Sequence, residues 1–414
     1  MDSAFTWVFL AALAAATATR LWLAQRQIRH VRAHRDAVPG MFSESIPLAA
    51  HQKAADYTVA KAHLGIVDTL LDAAILLALT LGGALQWLSD LGQRAFAVES
   101  LWHGAALILS VLLLKGALGL PLNLYRIFVV EERFGFNRMT LGLFCVDLLK
   151  GLAVGAVLGI PLLLLILWLM QAAGPLWWLY VWAVLVAYSL FLQMIYPAVV
   201  MPLFNKFSPL TDAVLAARVE ELLRRTGFRS RGLYVMDGSR RSSHGNAFFA
   251  GFGAAKRIVL FDTLVSRLQP AEVEAVLAHE LGHYKLHHIV KGMALSWGFS
   301  FLLLLVLGAL AAEPWFYHRL GLQTATLPMA LLLFMLVMPE FTFFVQPLMS
   351  RFSRHNEYEA DRYAARNADA AELVRALVKL YHDNSATLTP DPLHSAYYDS
   401  HPPAAMRIAR LRTT

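Results

Sequence analysis

Hydrophobic and polar positions alternate on a coarse scale in this chain, as long apolar runs separated by short polar loops, with two longer polar tracts. Seven runs are long enough to cross a bilayer as helices: about Ala4 to Leu23, His63 to Leu88, Leu101 to Val129, Leu141 to Met170, Leu176 to Phe204, Met293 to Ala312 and Thr326 to Leu348. The polar tracts run from about Asn205 to Val290 and from Ser350 to Thr414. The pattern predicts an all-α polytopic membrane protein in four sections: 1–204 with five spans and their loops, 205–290 polar, 291–349 with two further spans, and 350–414 polar. Within the first polar tract, Gly232 to Met236 and Arg257 to Phe261 read as short β-runs. No internal repeat or low-complexity linker separates the sections, so the polar tracts read as caps on the membrane helices.

Composition agrees, since 57% of the 414 residues are hydrophobic and only 16% charged. The first run lacks a signal peptide's basic start, with Asp2 in that place and basic residues following the run, so it reads as an uncleaved span. The single cysteine, Cys145, allows neither a disulfide framework nor a cysteine metal site.

A net charge of +7 raises nucleic acid as a partner, but the placement of the basic residues explains it otherwise. Arg26, Arg29, Arg32, Arg35, Lys53 and Lys61 lie between runs one and two, and Arg126, at the end of run three, with Arg133 and Arg138 marks the connection between runs three and four. The alternate loops offer Arg94 and Arg319. By the positive-inside rule the N-terminus is external, the basic loops are cytoplasmic, and both polar tracts share the cytoplasmic side.

One of those tracts carries the chemistry, in the run Ala278-His279-Glu280-Leu281-Gly282-His283. On a helix, His279 and His283 share a face and can hold one zinc, while Glu280 beside them takes the proton of an attacking water. Pro270, Glu272 and Glu274 suit a helix start, and Val273, Val276, Leu277 and Leu281 give a helical apolar stripe. A third ligand is needed, and the glycine-and-histidine extension of the metzincins is absent, because Leu286 and Ile289 occupy those positions. Glu357 and Asp361, four apart in Asn356-Glu357-Tyr358-Glu359-Ala360-Asp361, offer a zinc ligand and a partner that fixes a histidine tautomer. Glu359 points elsewhere. The same residues also suit a solvated acidic first helical turn.

Several further motifs in order make the chain resemble the integral-membrane CAAX prenyl proteases, zinc endopeptidases that process prenylated proteins and have bacterial relatives. They are Pro121-Leu122-Asn123-Leu124-Tyr125, Glu131-Glu132-Arg133-Phe134-Gly135-Phe136-Asn137, Asp237 to Phe249, Val259 to Leu264, the histidine motif, Glu357 to Asp361, and Ser400-His401-Pro402-Pro403. The resemblance covers about Asp56 to Arg410. It implies a seven-helix barrel around a hydrated chamber, with a small cytoplasmic α+β metalloprotease cap. It also implies Glu357 as third zinc ligand, Asp361 as its supporting partner, and Asn246 and His401 as groups holding the substrate backbone and the oxyanion. By local sequence alone, Asn246 reads as a turn residue and His401 as a loop histidine.

Asp68, Asp72, Lys115, Asp147, Lys150 and Glu340 stand inside the apolar runs, where charges face a bundle interior or water. Asp147 and Lys150 are spaced to pair, and Asp68 and Asp72 suit the lining of a chamber. The expected partners are lipid and peptide or membrane-protein substrates, prenylated CAAX proteins among them. The Ala- and Arg-rich composition suits a bacterial inner membrane, with the ER membrane as the location for a eukaryotic source, and bacteria generally lack protein prenylation. A quality-control protease like the heat-shock HtpX group, with fewer spans, is therefore the alternative. An intramembrane site-two-type protease fits poorly with the charged flanks of the motif helix, Glu272, Glu274 and Lys285. A transporter or scaffold with a structural zinc fits poorly with Glu280, since such sites use four ligands and no spare carboxylate.

Overall fold

The computed structural model describes residues 4–98, 100–250 and 257–413. Seven helices among them are long and apolar enough to span a membrane: Ala4–Ala33, Leu48–Leu79, Leu101–Glu131, Leu141–Ala172, Gly174–Phe204, His288–Leu310 and Leu327–Asn367, called spans one to seven below. Two differ in kind from the sequence expectation. Span two ends at Leu79, because Gly83 takes a left-handed φ of 76° and the remaining apolar residues form a separate helix, Ala84–Gly92. Hydropathy does not register a turn between two apolar segments. Span seven runs on to Asn367 through a tight turn at Phe343–Val345, so Glu357 and Asp361 lie mid-helix rather than in an opening turn. Its polar end stays helical because one face packs against other protein, which no hydropathy window detects.

Each span touches the next, and span seven returns to span one, closing a ring. One end of the ring is sealed by an apolar core that includes Phe9, Leu79, Leu85, Ile108, Leu167, Trp177, Leu307, Phe316 and Leu333. Trp7, Trp87, Trp102 and Trp168 are exposed at that end, as an interfacial aromatic girdle requires. Between the two ends the helices bury little: 6% of the most apolar window of spans four and five. Asp72 and Lys115 pair across spans two and three at 3.6 Å while both stay solvent-accessible, a placement that lipid would penalise and a hydrated interior permits. The ring therefore surrounds a chamber.

Asp147 and Lys150 do not pair with each other. Asp147 holds Arg241 at 2.8 Å and 3.0 Å, and Lys150 donates to the Leu203 carbonyl at 2.7 Å, because Asp147 reaches the cap and Lys150 reaches the end of span five. Arg241 also donates to the Phe204 carbonyl and Asn205, tying the cap to spans four and five.

The cap has a four-stranded sheet where the sequence pattern suggested two runs. Strands β1 (Phe207–Pro209), β2 (Leu233–Met236), β3 (Ala247–Ala250) and β4 (Arg257–Phe261) lie in the order β1-β2-β4-β3, with only β2 and β4 parallel. β1 and β3 are too short to show alternation. Helices Ala213–Thr226, Pro270–Lys285 and Ala370–Asp383 cover the sheet around a second core of Leu215, Leu222, Ile258, Leu260, Leu277 and Leu373.

Candidate metal centre

The motif lies on the helix Pro270–Lys285, whose start the sequence explains: Pro270 occupies the first turn and the Glu272 carboxylate accepts from the Gln269 backbone N–H at 2.7 Å. Glu272 and Glu274 do more than complement the helix dipole. Both are buried, Glu272 against Lys379 and Glu274 between Arg218 and Arg225, so they clamp the motif helix to its neighbours. Residues 272–279 are all buried, which makes this a core helix with a functional C-terminal half.

Gly282 explains how the third carboxylate arrives. A Cβ there would stand 2.9 Å from Ala360 Cα, so only glycine lets the motif helix and span seven approach this closely. One turn before Ala360, that contact delivers Glu357. Its Oε1 lies 3.2 Å from His283 Nε2 and its Oε2 lies 3.5 Å from His279 Nε2, while the two Nε2 atoms are 3.2 Å apart. These three residues are the group of metal-capable side chains that converges among the described residues.

The donors fit a metal. Glu357 Oε2 is buried without a hydrogen-bond partner, and two ring nitrogens face each other beside it. Asp361 Oδ1 accepts from His279 Nδ1 at 2.9 Å, which leaves the Nε2 lone pair directed at the shared point. Burial disfavours charge on His279, but the hydrogen bond to Asp361 and the Glu357 carboxylate close by outweigh it and lift its pKa to about 9. A cation at the shared point thus competes with a proton for that nitrogen.

Asp361 is itself held by Arg407, whose Nη2 and Nε donate at 2.6 Å and 2.9 Å. Arg407 is 6% exposed and its Nη1 also stands 3.7 Å from Glu357. Sequence reading missed it, since a basic residue in the amphipathic helix Ala404–Leu411 looks like any solvated one. Arg407→Met leaves the buried Asp361 carboxylate with His279 as its remaining partner and is expected to cost about 3–5 kcal/mol. Thermal unfolding in detergent checks this, and a midpoint equal to wild type would show that His279 alone satisfies Asp361.

Glu280, His283, Glu357 and His401 line a common cleft of about 580 Å³. His401 Nε2 lies 3.3 Å from Glu357 Oε1, and more than half of its side chain is exposed. Asn246 stands apart, exposed at the start of the outermost strand β3, and lines an adjoining cavity of about 750 Å³. The two cavities share Phe248, Phe249, Tyr284 and Ile289. Asn246 Oδ1 accepts from the Ala247 N–H at 2.8 Å, and its carbonyl accepts from Phe261 at 3.0 Å.

A ring of membrane helices bearing a cap with two imidazoles, a buried carboxylate and a neighbouring glutamate defines a membrane metalloprotease. The chain belongs to peptidase family M48: residues 209–414 match the model of that family, and residues 27–206 match a model described as CAAX prenyl protease N-terminal, five membrane helices. It is 33% identical to a probable CAAX prenyl protease 1 of Schizosaccharomyces pombe, over 92% of this chain and 83% of that one. Identity to a CAAX prenyl protease 1 homolog of Caenorhabditis elegans is 31%, over 98% and 97% of the two chains. The crystal structure of S. mikatae Ste24p superposes with a TM-score of 0.91 at 30% identity, covering 98% of each chain. The protein is thus a multi-pass membrane hydrolase of the CAAX protease type with a metal-dependent site.

Proposed function

We propose that His279, His283 and Glu357 hold one zinc ion, and that the protein is an endopeptidase whose substrates are peptides or membrane-protein segments, prenylated CAAX-type chains among them. The convergence of three donor atoms beside Glu280 carries this reading. Two neutral imidazoles and a carboxylate suit zinc and leave a position for water, in contrast to a closed structural site. Zinc bound there supplies a Lewis acid that acidifies water and polarises a carbonyl.

The remaining steps belong to side chains. Glu280 accepts the proton of the attacking water and later delivers it to the leaving amine. His401, at the mouth of the cleft, donates a hydrogen bond to the oxyanion as it develops. Asn246 donates its amide N–H to a substrate backbone laid along the outermost strand. Asp361 holds the His279 tautomer, and Arg407 holds Asp361.

Incubating the purified protein with an unstructured peptide and with a farnesylated CAAX peptide, each with and without a zinc chelator, tests the proposal. Chelator-sensitive cleavage of the farnesylated peptide alone supports CAAX specificity. Cleavage of both points to the quality-control alternative, and cleavage of neither counts against the enzyme reading.

The nine basic residues in and flanking the two loops that join spans one to two and three to four, against two on the alternate side, support a cytoplasmic active site and an external N-terminus. In a Cys145→Ala background, Thr413→Cys is expected to resist impermeant maleimide in intact cells and to label after lysis. External labelling would reverse the orientation.

A further inference from the structure

Resting on the zinc assignment above, we infer that His288 and Glu359 are positioning residues that set the tautomer of His283, through a relay separate from the Asp361–Arg407 relay on His279. The motif helix ends at Lys285, and span six begins at His288. Between them His287 adopts a left-handed φ of 58°, a conformation that costs a non-glycine residue about 1 kcal/mol. This reversal turns the chain sharply enough for the His288 ring to fold back onto His283. The two rings meet edge to face with centroids 5.1 Å apart, and His288 is 5% exposed.

Hydrogen-bond polarity then runs one way. His288 Nε2 lies 3.0 Å from Glu359 Oε2, and an ionised carboxylate only accepts, so Nε2 carries the hydrogen. A neutral His288 therefore presents a bare Nδ1. That atom lies 3.0 Å from His283 Nδ1, which must donate to it. With its proton fixed on Nδ1, His283 turns the Nε2 lone pair toward Glu357 and His279, as a metal ligand requires. Glu359 is held in turn by Lys291 at 3.8 Å and His355 at 3.6 Å, which keep its carboxylate in reach of His288. Glu359 therefore serves the site from outside the converging trio. Each histidine of the motif then has its own support: a carboxylate anchored by a guanidinium for His279, and a second imidazole anchored by a carboxylate for His283.

Asparagine and leucine are isosteric, so His288→Asn and His288→Leu differ at this position in one respect: the amide oxygen can accept from His283 Nδ1 and the methyl cannot. Zinc affinity of the detergent-solubilised full chain, read by competition with a fluorescent chelator, is expected to fall about 10- to 100-fold in His288→Leu, while His288→Asn recovers most of the loss. Cobalt loading gives a readout independent of turnover, with the d–d bands shifted in His288→Leu and near wild type in His288→Asn. Equal affinities and equal cobalt spectra for the two variants would overturn the relay. Should both position-288 variants fail to fold, Glu359→Leu, at the more open end, decides: weaker zinc binding supports the relay and wild-type affinity overturns it. Glu357→Ala in the same titration separates the two levels. If it binds zinc like wild type, the zinc assignment itself is wrong; if it loses zinc while His288→Leu does not, only the relay is.

Discussion

Glu280→Gln is expected to keep about one zinc per chain and to lose peptide hydrolysis by about 10²- to 10⁴-fold. The side chain lines the cleft beside His283 and Glu357 but does not belong to the converging trio. An amide fills the same volume and cannot accept a proton from water, so metal content and catalysis separate in this variant. Metal analysis alongside a cleavage assay measures both. Turnover at the wild-type rate would remove Glu280 from the mechanism, and loss of zinc would make it a ligand instead.

Glu357→Ala is expected to fail on both counts, with zinc below stoichiometric and hydrolysis undetectable. Its carboxylate is the one oxygen donor among the three, and its removal leaves two imidazoles, a set too sparse to retain zinc against a chelator. The helical scaffold should survive, because the spans satisfy their own backbone hydrogen bonds and the Asp361–Arg407 pair does not depend on Glu357. A wild-type circular dichroism spectrum with no bound zinc is the expected signature. Stoichiometric zinc in this variant would put the third ligand elsewhere.

Much of the site was readable as local spacing. His279, Glu280 and His283 lie within one turn and a half of helix, and the pair Glu357 and Asp361 shows the same four-residue spacing on its own helix. Roles for Asn246 and His401 came from resemblance, since neither residue has a local pattern that separates it from an ordinary turn or loop. Arg407 and His288 carried no signal. Arg407 resembles a solvated basic residue until Asp361 is seen against it, and His288 resembles a helix-start polar residue until the His287 reversal folds it over His283.

The sequence by itself determined that this is a polytopic membrane protein with a histidine-glutamate hydrolase motif, because hydropathy and helical spacing are properties of neighbouring residues. It did not determine where span two turns at Gly83 or that span seven continues into the cap, since a helix can run past its apolar segment and break inside one. Only the tertiary structure decided which carboxylate meets the histidines, through the close approach of Gly282 and Ala360, and which buried groups support them. Those contacts join residues far apart in sequence, and they form where packing has already excluded water, so that each charged group must find its partner within the fold.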